Sequence, residues 1–157
     1  MNVLGEILRR LSTAPDIVRA VRRGSEKIDG IEVYGHQEFR RAIIRALLLL
    51  RDKKLPAWGT VAQYVGSILE AGRTEAVVTA RPAFMFVSGP YAVQEPEFLA
   101  GTIAFMACSI QLHRAYEAEF PGRRVPTDVY SSGSTARERC EKAKQECLKA
   151  LGKEVRP

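Results

Sequence analysis

The sequence is short of the residue types from which most catalytic centres are built. Only two histidines, His36 and His113, occur in 157 residues. His36 lies at an expected helix start, where capping or solvent exposure accounts for it, so imidazole chemistry falls to His113. Cysteine is scarce as well: Cys108, Cys140 and Cys147 are an odd number with no CxxC pair, which argues against a disulfide framework and a zinc knuckle alike. Cys140 and Cys147 sit two turns apart along one helix face, roughly 10 Å, too far to bridge each other. No glycine-rich phosphate loop of the GxGxxG or GxxxxGK kind appears. Ser88-Gly89 and Ser131-Ser132-Gly133-Ser134 lack the spacing of a nucleophile elbow. The longest apolar run, Phe98–Leu112, carries Thr102, Ser109 and Gln111 and falls short of the ~20 residues a bilayer needs. The amino terminus lacks the charge–apolar–small-residue order of a signal peptide. Repeats and low-complexity tracts are missing too. These absences exclude a secreted disulfide scaffold and a transmembrane helix, and they lead to the expectation of a cytoplasmic protein with reduced, buried thiols.

The composition is that of an ordinary globular chain, 46% apolar and 27% charged, with a net charge of +6. That charge is unevenly spread: residues 1–56 hold 12 basic and 7 acidic side chains, residues 57–120 hold 3 and 6, and residues 121–157 hold 9 and 5. Basic ends flank an acidic middle, and no aromatics interleave the basic clusters as a single-strand binder requires. A protein partner is therefore expected ahead of nucleic acid.

Residues 2–12 place Val3, Leu4, Ile7, Leu8 and Leu11 at helical spacing, and a second helix opening at Pro15 continues with Ile17, Val18 and Val21 until Gly24. Together they read as a basic amphipathic extension over residues 1–30. Such a pair packs its apolar stripe on a domain or lies on an anionic membrane surface. Ile31–Tyr34 alternates as a short strand. Phe39, Ala42, Ile43, Ala46, Leu47 and Leu50 share one face of a strong helix, and Pro56 opens another whose buried side would be Val61, Tyr64, Val65, Ile68 and Leu69, ending at Gly72. Glu75–Val87 changes to a β-rich period interrupted by Pro82, giving one or two short strands with an exposed edge. The long apolar helix from about Pro96 to Phe120 comes next, with Glu95 and Glu97 favourable to its dipole. A loop at 123–134 anchored by Val129-Tyr130 leads to a last helix from Thr135, whose stripe is Ala136, Cys140, Ala143, Cys147, Ala150 and Leu151. The expected fold is a single helix-dominant α+β domain over 1–157, with a core at 31–152, a small sheet and a central buried helix.

That central helix carries the one constellation with chemical content. His113 and Glu117 are one turn apart on one face, a spacing at which imidazole and carboxylate can hold one zinc ion. The same spacing also makes a plain i,i+4 pair near a helix end. The segment Ser109-Ile110-Gln111-Leu112-His113-Arg114-Ala115-Tyr116-Glu117 resembles the active helix of zincin-type metallopeptidases, and the order of elements over residues 31–152 is similar. The resemblance implies that Phe84–Val87 is the substrate-aligning edge strand, that Gly35–Arg51 backs the sheet and that Thr135–Leu151 bears a third ligand. It departs from the family at the general base, where Arg114 cannot accept a proton. The second histidine is Glu117, and the only carboxylate at the start of the last helix, Glu138, points away from its apolar stripe and fits a capping box with Thr135. The resemblance and its departures together imply His113 and Glu117 as metal ligands, no catalytic residue, and a degenerate zincin-like protein that binds or scaffolds. The alternative expectation is a non-enzymatic basic module for a protein, nucleic acid or anionic membrane surface.

Overall fold

The computed structural model describes residues 15–123 and 135–153. The expected helix over 2–12 and the Val129-Tyr130 anchors lie outside the described residues. Three parallel strands form the middle of a mixed five-stranded sheet of order β1-β2-β3-β5-β4. β1 (Ser25–Ile28) and β2 (Ile31–Tyr34) form an antiparallel hairpin, β2 runs parallel to β3 (Val65–Ala71), and β3 runs parallel to β5 (Ala83–Ser88). β4 (Glu75–Val77) pairs antiparallel with β5 and forms one edge. The helices are α1 (Pro15–Arg22), α2 (Gln37–Asp52), α3 (Pro56–Tyr64), the single turn α4 (Gly89–Ala92), α5 (Pro96–Glu119) and α6 (Thr135–Ala150). The helix-dominant α+β architecture with a small sheet and a central buried helix is thus observed.

The strand period divides the core into two layers. Along β5, Ala83, Met85 and Val87 face the larger cluster, which also takes Phe39, Ile43 and Leu47 of α2, Val61 of α3 and Leu99, Ile103 and Ile110 of α5. The alternate residues Phe84 and Phe86 face the other side, where they join Tyr34, Leu69 and the buried Ile17 and Ala20 of α1. Their rings meet edge-on at 5.3 Å. Residues 15–22 are consequently a packed layer of the body, with their arginines outward.

Two strands depart from the expected order of elements, and each has a physical reason. β3 occupies residues expected to continue the helix from Pro56. Its positions are buried on both faces between parallel neighbours, so it reads as a near-continuous apolar run in which Val65, Ile68 and Leu69 also fit a helical stripe. Gly66 lies where a Cβ would stand 2.5 Å from Pro82 Cγ, so the strand needs a glycine at that point. β1 leaves three of its four residues exposed and has no hydrophobic signature. Its signal is the Asp29-Gly30 turn, with φ of 46° and 86°, the left-handed pair that closes a two-residue hairpin.

The expected edge position of Phe84–Val87 is corrected. β5 lies between β3 and β4 with every residue buried, and the edge is β4, preceding the Pro82 break. Below the sheet runs α5, whose burial from Leu99 to His113 reflects contact on nearly all sides.

Candidate functional site

The site begins with what α5 presents at its carboxyl-terminal half. His113 is 8% exposed, and its Nε2 lies 3.3 Å from Glu117 Oε1 one turn on. The expected pair therefore does meet. Between them Arg114 donates to Glu117 Oε1 at 2.8 Å and, through both terminal nitrogens, to the carbonyls of Val78 and Ala80 at 2.7 Å each. Arg81 donates to Glu117 Oε2. Both carboxylate oxygens thus accept from guanidinium groups, and Arg114 ties the chain leaving β4 to the central helix.

This packing sets the electrostatics. Burial pushes the His113 imidazole below its ordinary pKa, an effect that Glu117 opposes and that Arg114 and Arg81 reinforce. Burial works against ionisation of Glu117, but the hydrogen bonds from Arg81 and Arg114 outweigh it and hold the carboxyl below its ordinary range. The group is a neutral imidazole beside a carboxylate already matched by two cations. Such a donor set does not fit zinc: a divalent ion at His113 and Glu117 would have to displace two guanidinium groups and sit beside their charge. Among the described residues no three His, Cys, Asp or Glu side chains are grouped to hold a metal ion. Glu138, the only carboxylate at the start of α6 and expected to point away from the core, is exposed.

A second feature lies one to two turns earlier on α5. Thr102, Phe105, Met106 and Ser109 floor a groove of about 410 Å³ whose walls are Glu75, Ala76 and Val78 on the sheet side and Arg137, Glu141 and Lys144 of α6. The Arg137 guanidinium lies 5.7 Å from the Phe105 ring centroid. This is the space bounded by edge strand, central helix and last helix. Sequence reasoning centred on the histidine does not reach it. The signal that could have found it is Thr102, Phe105 and Ser109 at helical spacing, one stripe breaking an otherwise aliphatic helix.

A third cluster stands at the carboxyl ends of the parallel strands. Glu70 Oε1 lies 2.8 Å from Arg23 Nη1 and 3.0 Å from His36 Nδ1, and it accepts from the His36 backbone N–H at 3.2 Å. A cleft of about 460 Å³ opens there between Phe39, Gly89 and the exposed Val93. Because Glu70 joins the end of α1, the end of β3 and the start of α2, the cluster acts as a structural clasp.

Comparison with protein-family models, with curated proteins and with solved structures finds no match to this chain.

Proposed function

We propose that the domain is a non-hydrolytic binding module of zincin-like layout that takes a short extended peptide along β4. The observation that carries this reading is the groove between the β4 edge and the Thr102–Ser109 face of α5. In the layout that the resemblance implies, the metal and the substrate would occupy the space between edge strand, central helix and last helix. Here that space offers an aromatic ring, a thioether and two hydroxyls on the α5 side. An open strand edge presents backbone donors and acceptors, and the occupant that satisfies them is another extended backbone, with side chains entering the adjacent groove. Arg114 limits the length of the contact, since it already holds the carbonyls of Val78 and Ala80.

The charges support a protein partner ahead of nucleic acid. Acidic side chains lie against many of the arginines: Asp16 beside Arg19 and Arg73, Glu26 beside Arg40, Asp29 and Asp52 beside Arg51. Such pairing leaves a mixed surface and not a continuous basic stripe. Among the described residues no helix is long and apolar enough to cross a membrane. A cytoplasmic location remains part of the proposal.

The test is selection of displayed random peptides on the folded protein, followed by affinity measurement with Phe105→Ala. Selected peptides should lose roughly tenfold or more in affinity, the loss expected for an aromatic anchor. Peptides that bind the variant equally well, a selection that yields none, or affinity that falls steeply with salt on an added oligonucleotide would overturn the reading.

A further inference from the structure

The packing of α6 on α5 brings together cysteines that are far apart in the chain. A Cβ at Gly101 would stand 3.1 Å from Leu148 Cγ and 3.4 Å from Lys144 Cγ, so the two helices approach closely there. Cys108 lies two turns further along α5, and Cys140 lies about two turns back along α6. The antiparallel register that sets Gly101 against Leu148 therefore also sets Cys108 against Cys140. Ser109 Oγ, the next residue of α5 after Cys108, lies 3.4 Å from Cys140 Sγ, and the two thiols influence each other's ionisation. Cys140 is fully buried, whereas Cys108 is half-buried and lines a cleft of about 150 Å³ with Leu55, Thr60 and Gln111.

We propose that Cys108 and Cys140 form a reversible oxidation site, at which hydrogen peroxide closes a disulfide between α5 and α6. The pair suits this chemistry because it shares a proton. Cys108, helped by Ser109, draws the Cys140 thiol down to about 7 against the opposing effect of burial, while the Cys108 thiol is pushed up. The pair thus titrates as a unit and gives up one proton more readily than an isolated buried thiol does. Cys147, also in the cleft, has its thiol pushed up by burial to about 11 and stays inert.

The steps balance. Cys108, the sulfur that faces the cleft, passes its proton to Cys140 and attacks one peroxide oxygen; the O–O bond breaks, and a Cys108 sulfenic acid and hydroxide result. The second thiol then attacks the sulfenic sulfur, the S–O bond breaks, and a disulfide and water leave. The two sulfurs lose two electrons to the peroxide, and a proton from solvent, which took up the one the pair lost on ionising, neutralises the hydroxide. A dithiol reductant reverses the bond by exchange. Arg137, Glu141 and Lys144 flank Cys140 on α6 and wall the β4 groove, so the bond would pin that wall. The oxidation site stands whether or not the groove binds peptide.

The test treats the reduced full-length protein with equimolar hydrogen peroxide, blocks remaining thiols by alkylation and maps the peptides by mass spectrometry. The expected result is loss of two thiols, a Cys108–Cys140 cross-linked peptide, an alkylated Cys147 and recovery of all three thiols with dithiothreitol. Cys147→Ala should behave identically, which keeps the test independent of whether Cys108→Ser or Cys140→Ser folds. Cross-linking should be roughly tenfold faster in the folded protein than in urea, because folding supplies the proximity. The oxidised form should melt roughly 5 °C higher. Over-oxidation of single sulfurs without a cross-link, a link that uses Cys147, or equal rates in folded and urea-treated protein would overturn the proposal.

Discussion

Arg114 Nη1 lies 2.8 Å from Glu117 Oε1, one turn along the same helix, and from there its guanidinium reaches the carbonyls of Val78 and Ala80. One side chain thereby joins the central helix to the segment that leaves the sheet edge. Its side chain is 11% exposed, so its charge and the two carbonyls depend on each other for hydrogen bonds.

Arg114→Ala should therefore cost about 3 kcal/mol of unfolding free energy, the usual scale for leaving a buried charged network half-satisfied. Arg114→Lys should recover only part of that loss, since a point charge cannot reach Glu117 and two carbonyls in a fixed fork. Urea denaturation of the three proteins reads both effects. A change below about 0.5 kcal/mol for Arg114→Ala would place the residue among ordinary surface arginines.

The same cluster makes stability pH-dependent. His113 is held below its ordinary pKa of 6.5 in the folded chain, so the unfolded chain binds its proton more readily. Its contribution is present above pH 6.5 and is lost as pH falls through the lower folded pKa. Glu117 is also depressed, from an ordinary 4.5, so its contribution persists above that value and disappears in stronger acid. Denaturation midpoints should fall on going from neutral to mildly acidic buffer, and His113→Gln should flatten that first decline. An unchanged slope in the variant would count against a buried neutral imidazole.

Gly35 has a φ of 155°, and a Cβ there would stand 2.6 Å from Phe39 Cδ1 and 2.8 Å from Glu70 Cβ. Gly35→Ala should destabilise by about 2–4 kcal/mol, from an unfavourable backbone conformation and overpacking combined. Gly30, with φ of 86° and open space around it, should cost less on the same change, about 1 kcal/mol. Thermal melts of the pair give the comparison, and equal shifts would mean that the Glu70 clasp exerts no steric demand.

Much of this architecture is legible in the residues, and the exceptions share a cause. The helices at Pro15, Gln37, Pro56, Pro96 and Thr135 announce themselves by their apolar period, those at Pro15, Pro56 and Pro96 also by proline at the first turn, and those at Pro15, Pro96 and Thr135 by a glycine soon after the last. β3 is hidden because a strand covered on both faces loses its alternation, and the apolar residues Val65, Ile68 and Leu69 then satisfy either period. Hydrogen exchange should find the β3 amides among the slowest in the protein, as befits a strand paired on both sides; rapid exchange at Ile68 and Leu69 would restore the helical reading. At the candidate site, the His113–Glu117 spacing foretells their contact. It cannot foretell that Arg81, from the loop after β4, takes the second carboxylate oxygen, because that contact is made by tertiary packing. The groove at Phe105 is equally a product of packing, as its walls come from β4 and α6.

Peptide binding at the β4 groove is tested most directly by titrating one selected peptide into isotopically labelled protein and recording amide chemical shifts. The predicted result is saturable shifts centred on Glu75–Val77 and on Thr102–Ser109, weakened in Phe105→Ala, with the peptide recovered intact in the presence of zinc. Shifts centred instead on the outward arginines of α1 and α2, or cleavage of the peptide that His113→Ala abolishes, would contradict a non-hydrolytic peptide groove.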